Sequence, residues 1–107
     1  MSAGIKALQL MGMARRAGRL AFGIETVAAN LQAIELILLS RDVGQAAERK
    51  AGRISESSGI RILKLPYGKE QVGQALGLQT CAIAGITDKG LASGIQYQLE
   101  EEQRQSR

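Results

Sequence analysis

Residues 34–40 read Ile-Glu-Leu-Ile-Leu-Leu-Ser. Consecutive apolar residues over a strand's length leave no polar face, so this run suits a strand covered on both sides. In a chain of 107 residues, helices flanking a sheet are the natural covers. The rest of the chain supplies them. The spacing predicts a helix over Ile5 to Ala17, stopped by Gly18, then a short extended piece, Arg19 to Phe22. A second helix is expected from Gly23 to Ala33, with Ile24, Val27, Ala28 and Leu31 at i, i+3, i+4 and i+7. Asp42 could cap a helix over Val43 to Ser57. Ile60 to Leu65 reads as a strand, Pro66-Tyr67-Gly68 as a turn and Lys69 to Leu76 as a helix ended by Gly77. Cys81 to Ile86 is a further apolar strand. Thr87-Asp88 offers a cap to a last helix with Leu91, Ala92, Ile95 and Leu99 inward, and the polar tail beyond Leu99 is expected to fray. One α/β domain over 1–107 follows, with helices on both faces of a mixed or mostly parallel sheet. It should bury Ile37, Leu39, Ile62, Ile83 and Ile86.

Several chemistries lack their residues. The chain has no His, so neither a Ser-His nor a Cys-His pair can form. Its single Cys81 cannot make an internal disulfide, has no second metal ligand, and sits in an apolar run as a small core residue. Gly68-Lys69 lacks the preceding glycine and the following Ser or Thr of a P-loop. Glu25, Asp42 and Asp88 fall at strand or helix ends, where enzymes often hold catalytic groups, and they are equally placed as helix caps and first-turn acids. These features point away from an enzyme, and toward no cofactor and no metal. No run approaches a membrane span, and the first residues lack a signal-peptide pattern. A cytoplasmic protein without a membrane partner is the expectation.

Charge is more informative. The net charge is +4, and residues 1–98 carry +5 from 12 bases and 7 acids. That excess suits a polyanion. Aromatics are only Phe22, Tyr67 and Tyr97, too few to stack successive bases of a single strand. A nucleic-acid partner would be read by its folded shape and backbone. The stretch Arg15-Arg-Ala-Gly-Arg-Leu-Ala-Phe-Gly-Ile-Glu-Thr-Val27 places Arg15, Arg16 and Arg19 ahead of a helix start at Gly23, with its unpaired N–H groups and positive dipole end. The Gly23 N–H is expected to face solvent. Arg41, Lys50 and Arg53 could add phosphate contacts.

Arg15-Arg-Ala-Gly-Arg-Leu20, Gly23-x-Glu-x-Val27, Leu36-Ile-Leu-Leu-Ser-Arg-Asp-Val43, Leu76-Gly77 and Ile83-Ala-Gly-Ile-Thr-Asp-Lys-Gly90 occur in an order that resembles the bacterial YlxQ-type proteins. These belong to the superfamily of archaeal and eukaryotic large-subunit ribosomal proteins that bind kink-turn RNA. The resemblance covers Ile5 to about Tyr97. It implies a three-layer α/β/α sandwich with a four-stranded mixed sheet. It also implies an RNA site at Gly23, Ile24, Glu25, Thr26 and Ala29, with the loop Leu78-Gln79-Thr80. The chain departs from the kink-turn readers where an Asn and a Glu read sheared G·A pairs: Glu25 and Thr26 stand there. A Lys one turn on is Ala29, and the apolar loop is shorter. The expected function is therefore recognition of structured RNA, ribosomal or other and kink-turn-like in form, by a monomer associated with the ribosome or translation. The alternative is a protein-interaction module on the same fold that has lost kink-turn reading.

Overall fold

The computed structural model describes residues 5–105. The outermost ends of the expected domain, 1–4 and 106–107, lie outside the described residues. The elements are α1 (Lys6–Arg16), β1 (Leu20–Phe22), α2 (Ile24–Ala29), β2 (Leu36–Leu39), α3 (Gln45–Ser58), β3 (Arg61–Lys64), α4 (Lys69–Leu76), β4 (Ile83–Ile86) and α5 (Lys89–Gln105). The four strands form one sheet in the order β1-β4-β2-β3. β2 and β3 are parallel, whereas β4 runs antiparallel to both β1 and β2. The sheet is mixed, as expected.

Register sorts the side chains onto two faces. Leu36, Leu38, Ala84 and Ile86 pack with α1, α4 and α5 residues such as Met11, Val72 and Ile95. Ile37, Leu39 and Ile83 pack on the other face with Val27 of α2 and Ala51 of α3. β2 and β4, at the centre of the sheet, are buried at every position. The result is a three-layer α/β/α sandwich. Ile37, Leu39, Ile83 and Ile86 are buried as expected, but Ile62 is only half-buried because β3 is an edge strand.

Three local expectations are corrected. The second helix stops at Ala29, not Ala33. The Asn30 side chain donates to the Thr26 carbonyl at 2.7 Å, and 30–34 continue as tight turns through Ala33 N–H to Asn30 and Ile34 N–H to Leu31. Asp42 does not cap α3, whose N-cap position is Gly44 and which has no side-chain cap. Its Oδ1 instead accepts the Lys69 N–H at 2.9 Å, capping α4 across the chain. The stretch beyond Leu99 continues α5 as helix to Gln105, with Leu99 and Glu102 buried. Asp88 caps α5 as expected, its Oδ2 accepting the Leu91 N–H at 2.7 Å. Gly12, unusual within a helix, marks where α1 and α4 nearly touch: a Cβ there would stand 2.9 Å from the Ala75 carbonyl oxygen.

Candidate nucleic-acid interface

The pairing brings the ends of β1, β2 and β3 to the same end of the sheet as the start of β4. Gly23 follows Phe22, which pairs with Ala84. The Gly23 N–H donates to the Ile83 carbonyl at 2.9 Å. It therefore does not face solvent, contrary to the sequence expectation: the sheet ladder extends one residue further. The backbone there has φ 89° and ψ 143°, a region essentially confined to glycine. That conformation turns the chain sharply from β1 into α2. No side chain caps α2, so the N–H groups of Ile24, Glu25 and Thr26 have no intrahelical partner. Glu25 and Thr26 are exposed.

The loop 78–80 lies at the same end because it leads directly into β4. Its position is fixed by α4. The Leu78 N–H bonds the Gly73 carbonyl at 2.8 Å, and the Cys81 N–H bonds the Lys69 carbonyl at 2.9 Å. Gly73 permits this contact, since a Cβ there would stand 2.6 Å from the Thr80 Cα. Gln79 and Thr80 are exposed and Leu78 is half-buried. The β1–α2 junction and this loop thus form one surface, held by the Gly23–Ile83 hydrogen bond.

The basic candidates are less unified. Arg41 belongs to this end, its Nη1 donating to the Pro66 carbonyl at 3.1 Å. Arg15 is half-buried and committed: Nη1 bonds the Leu76 carbonyl at 2.5 Å, and the guanidinium lies 4.8 Å from the centre of the Phe22 ring. It braces α4 against β1 rather than reaching freely into solvent. Arg16 lines a groove between α1 and α4 with Gly12, Gln71 and Gln74. Arg19 precedes β1 at the opposite sheet end, about 13 Å along the strand from Gly23. Lys50 and Arg53 are exposed on α3. Glu48 and Ser55 of that helix reach Lys64 and Ile60, so Lys50 lies on the opposite flank.

Two residues of this surface escaped the sequence reading. Phe22, next to Gly23, is an exposed aromatic; its being the only Phe was the available signal. Lys69 opens α4 beside Asp42, and its backbone N–H holds the Asp42 carboxyl below the usual carboxylate value. Among the described residues, no group of three or more His, Cys, Asp or Glu could hold a metal ion. No helix there is long and apolar enough to cross a membrane.

The family model for ribosomal protein L7Ae/L30e/S12e/Gadd45 matches residues 6–95. A protein of unknown function from Bacillus halodurans is similar at 26% identity and TM-score 0.84, over 91% of this chain and 99% of that one. The Giardia lamblia 15.5kD RNA binding protein is similar in fold, at 17% identity and TM-score 0.70, over 92% of this chain and 88% of that one. No curated protein matches the chain.

Proposed function

Because the chain belongs to the ribosomal protein L7Ae/L30e/S12e/Gadd45 family, we propose that it binds folded RNA, through the sheet end built from Gly23, Ile24, Glu25, Thr26 and the loop Leu78–Thr80. The observation that carries this reading is the Gly23–Ile83 hydrogen bond, which holds the two segments as one surface. Family membership supports RNA as the ligand class, and so does the 15.5kD RNA binding protein sharing the fold. The motifs from Arg15 to Val27 support the bacterial YlxQ-type group within the family, acting as a monomer in the cytoplasm near the ribosome. The protein works by binding, not turnover. Arg41 and Lys69 contact phosphate at the site, while Arg16, Arg19, Lys50 and Arg53 contribute longer-range attraction. Arg15 contributes through the geometry it holds. Glu25, exposed beside the helix start, accepts from base amino groups and repels phosphate, so it selects more than it attracts. The RNA is kink-turn-like in form, with Glu25 and Thr26 in place of the usual Asn and Glu readers.

The test is titration against a kink-turn RNA and an unstructured control at two salt concentrations. Preference for the kink-turn, weakening with salt by a log–log slope of about −0.7 to −0.9 per phosphate contact, supports the proposal. Binding no better than a generic basic protein defeats it. A second reading, a protein-interaction module, draws on the spread of arginines over several faces. It also draws on the groove of about 690 Å³ between α1 and α4, where Ile5 and Met13 are each 50% exposed.

A further inference from the structure

Ile5, Gln9, Gly12, Met13 and Arg16 recur at helical spacing along one face of α1. Buried Met11 and Val72 turn the inner sides of α1 and α4 toward the sheet, so this face looks outward from the helical layer. With Gln71, Gln74 and Ala75 of α4 it lines the groove of about 690 Å³. Its apolar walls include Ile5 and Met13, both exposed. Between these two, Gly12 leaves a saddle without a side chain, since a Cβ there would stand 2.9 Å from the Ala75 carbonyl oxygen. Arg16 closes one end. Its Nη1 lies 3.4 Å from where that Cβ would be, so the guanidinium folds back over the saddle. Among the described residues it has no hydrogen-bond or ion-pair partner. No carboxylate lines the groove, and its other polar side chains are the neutral amides of three exposed glutamines.

We propose that this groove docks one amphipathic helix of a protein partner, laid antiparallel to α1, with a carboxylate of that helix's first turn on Arg16. A guanidinium without a partner at the end of an apolar trough is complementary to a carboxylate, which can take it in two parallel hydrogen bonds. Acidic residues favour the first turn of a helix, beside the positive end of its dipole. Arg16 stands at the C-terminal end of α1, so the partner's first turn meets it only if the two helices run in opposite directions. Length agrees: from Ile5 to Arg16 is about 16 Å, or three turns of helix. Apolar residues at i, i+3, i+4 and i+7 of the partner would cover Ile5 and Met13 and fill the saddle at Gly12. RNA is a poor occupant here, because a phosphate backbone draws its affinity from several cations and the groove holds one. The proposal names a ligand for the protein-interaction reading, and it also stands if the sheet end binds RNA.

The probe is a synthetic helix of about fourteen residues, acetylated and amidated, with Leu at i, i+3, i+4 and i+7, Glu in its first turn, and Ala and Gln elsewhere. Two companions carry Gln or Lys in place of that Glu. Binding to the full chain is followed by amide NMR shifts in wild type, Arg16→Glu and Met13→Gln, both changes falling on exposed residues. Wild type should bind the Glu probe about three- to tenfold more tightly than the Gln probe, and the Lys probe least, with shifts centred on Gly12 and Ala75. Arg16→Glu should invert that order. Met13→Gln should weaken all three probes by about threefold or more and keep the order. A paramagnetic label on the probe's N-terminus should broaden signals near Arg16; broadening at Ile5 overturns the antiparallel docking. An order unmoved by Arg16→Glu overturns the carboxylate contact. Shifts confined to another face overturn the groove and leave the protein-interaction reading standing. Binding of no probe overturns the proposal, whereas that reading is decided by the RNA titration above. Self-association of wild type that Met13→Gln abolishes assigns the groove to a second copy, and shifts at Gly12 and Ala75 driven by a kink-turn RNA assign it to RNA; either result overturns the proposal.

Discussion

The Tyr67 hydroxyl donates to Glu102 Oε1 across 35 positions of sequence, at 2.5 Å, with both residues buried. The other oxygen of Glu102 accepts the Ala7 N–H at 3.3 Å. One carboxylate thereby joins the β3–α4 turn, the first turn of α1 and the far part of α5. A buried carboxylate is tolerable only with donors of this kind. Its place also meets an N–H that α1 itself cannot pair.

Tyr67→Phe removes one of those donors while keeping the ring. The expected loss is about 1–3 kcal/mol, read as a lower urea midpoint with unchanged m-value. The alkaline side gives a second readout. Burial first, and then Glu102, push the Tyr67 hydroxyl above its ordinary value of 10.0. A group whose pKa is raised in the folded state contributes stability that is complete below the unfolded value and fades as pH climbs toward the folded one. Wild type should therefore lose stability above about pH 10, and Tyr67→Phe should lose less. Burial raises the Cys81 thiol too, so part of the alkaline loss will remain.

Acid acts through Asp42. Its carboxyl is held below the usual 3.8 chiefly by the Lys69 N–H. A depressed folded pKa contributes stability that is present above the unfolded value and disappears as pH falls through the folded one. Unfolding midpoints measured from pH 5 down to pH 2 should fall less steeply in Asp42→Asn than in wild type. An unchanged acid limb would show that the cap across to α4 contributes nothing.

Gly73→Ala tests how the loop is held. The added methyl meets the backbone of Gln79 and Thr80 at under 3 Å, and backbone cannot swing aside as a side chain can. The expected cost is about 1–3 kcal/mol. Amide exchange should quicken first at Leu78 and Cys81, whose N–H groups bond α4. Uniform acceleration across the chain would point to general destabilisation instead.

Gly23→Ala tests the backbone of the site without crowding it. Nothing lies within 4 Å of a Cβ at Gly23, but its φ is +89°. The strain should cost about 1–3 kcal/mol. Relief of that strain would rotate Gly23 and break its bond to Ile83, so RNA affinity should fall further than stability alone explains. Gly23→Asp adds a negative charge at the same place and should weaken RNA binding most, with the steepest difference at low salt.

Much of the fold could be read from the chain because its signals are local. The apolar run at Leu36–Leu39, the stop at Gly18 and the cap at Asp88 each act within a few residues. What could not be read is long-range. Asp42 has two helix starts within reach, α3 in sequence and α4 in space, and only the parallel pairing of β2 with β3 brings Lys69 to it. Glu102 looks like part of a solvated acidic run, Glu100 to Glu102. Its burial depends on Tyr67 and Ala7 arriving from distant segments. The site shows the same division. Gly23 at the start of the second helix was legible from the helical period and the glycine. The commitment of its N–H to Ile83 was not, because a strand's last hydrogen bond depends on its neighbour's register. Arg15 appeared as free charge because the Leu76 carbonyl and the Phe22 ring lie on other elements.

The sheet order has a consequence for biosynthesis. Among the described residues β1 pairs with β4 alone, and β4 also separates β1 from β2. On the ribosome, the chain from β2 through β3 can assemble early as a parallel unit around α3. β1, made before it, must wait for residues 83–86, more than sixty positions later. Until β4 is released, β2 presents an unpaired inner edge and β1 has no sheet to join. Both are then templates for pairing with another nascent chain. Closure is a late insertion into the middle of the sheet, and long loops of this kind slow folding. A chain interrupted just before Ile83 is therefore not a smaller version of this domain but an open, adhesive intermediate, for which degradation or chaperone capture is the foreseeable fate.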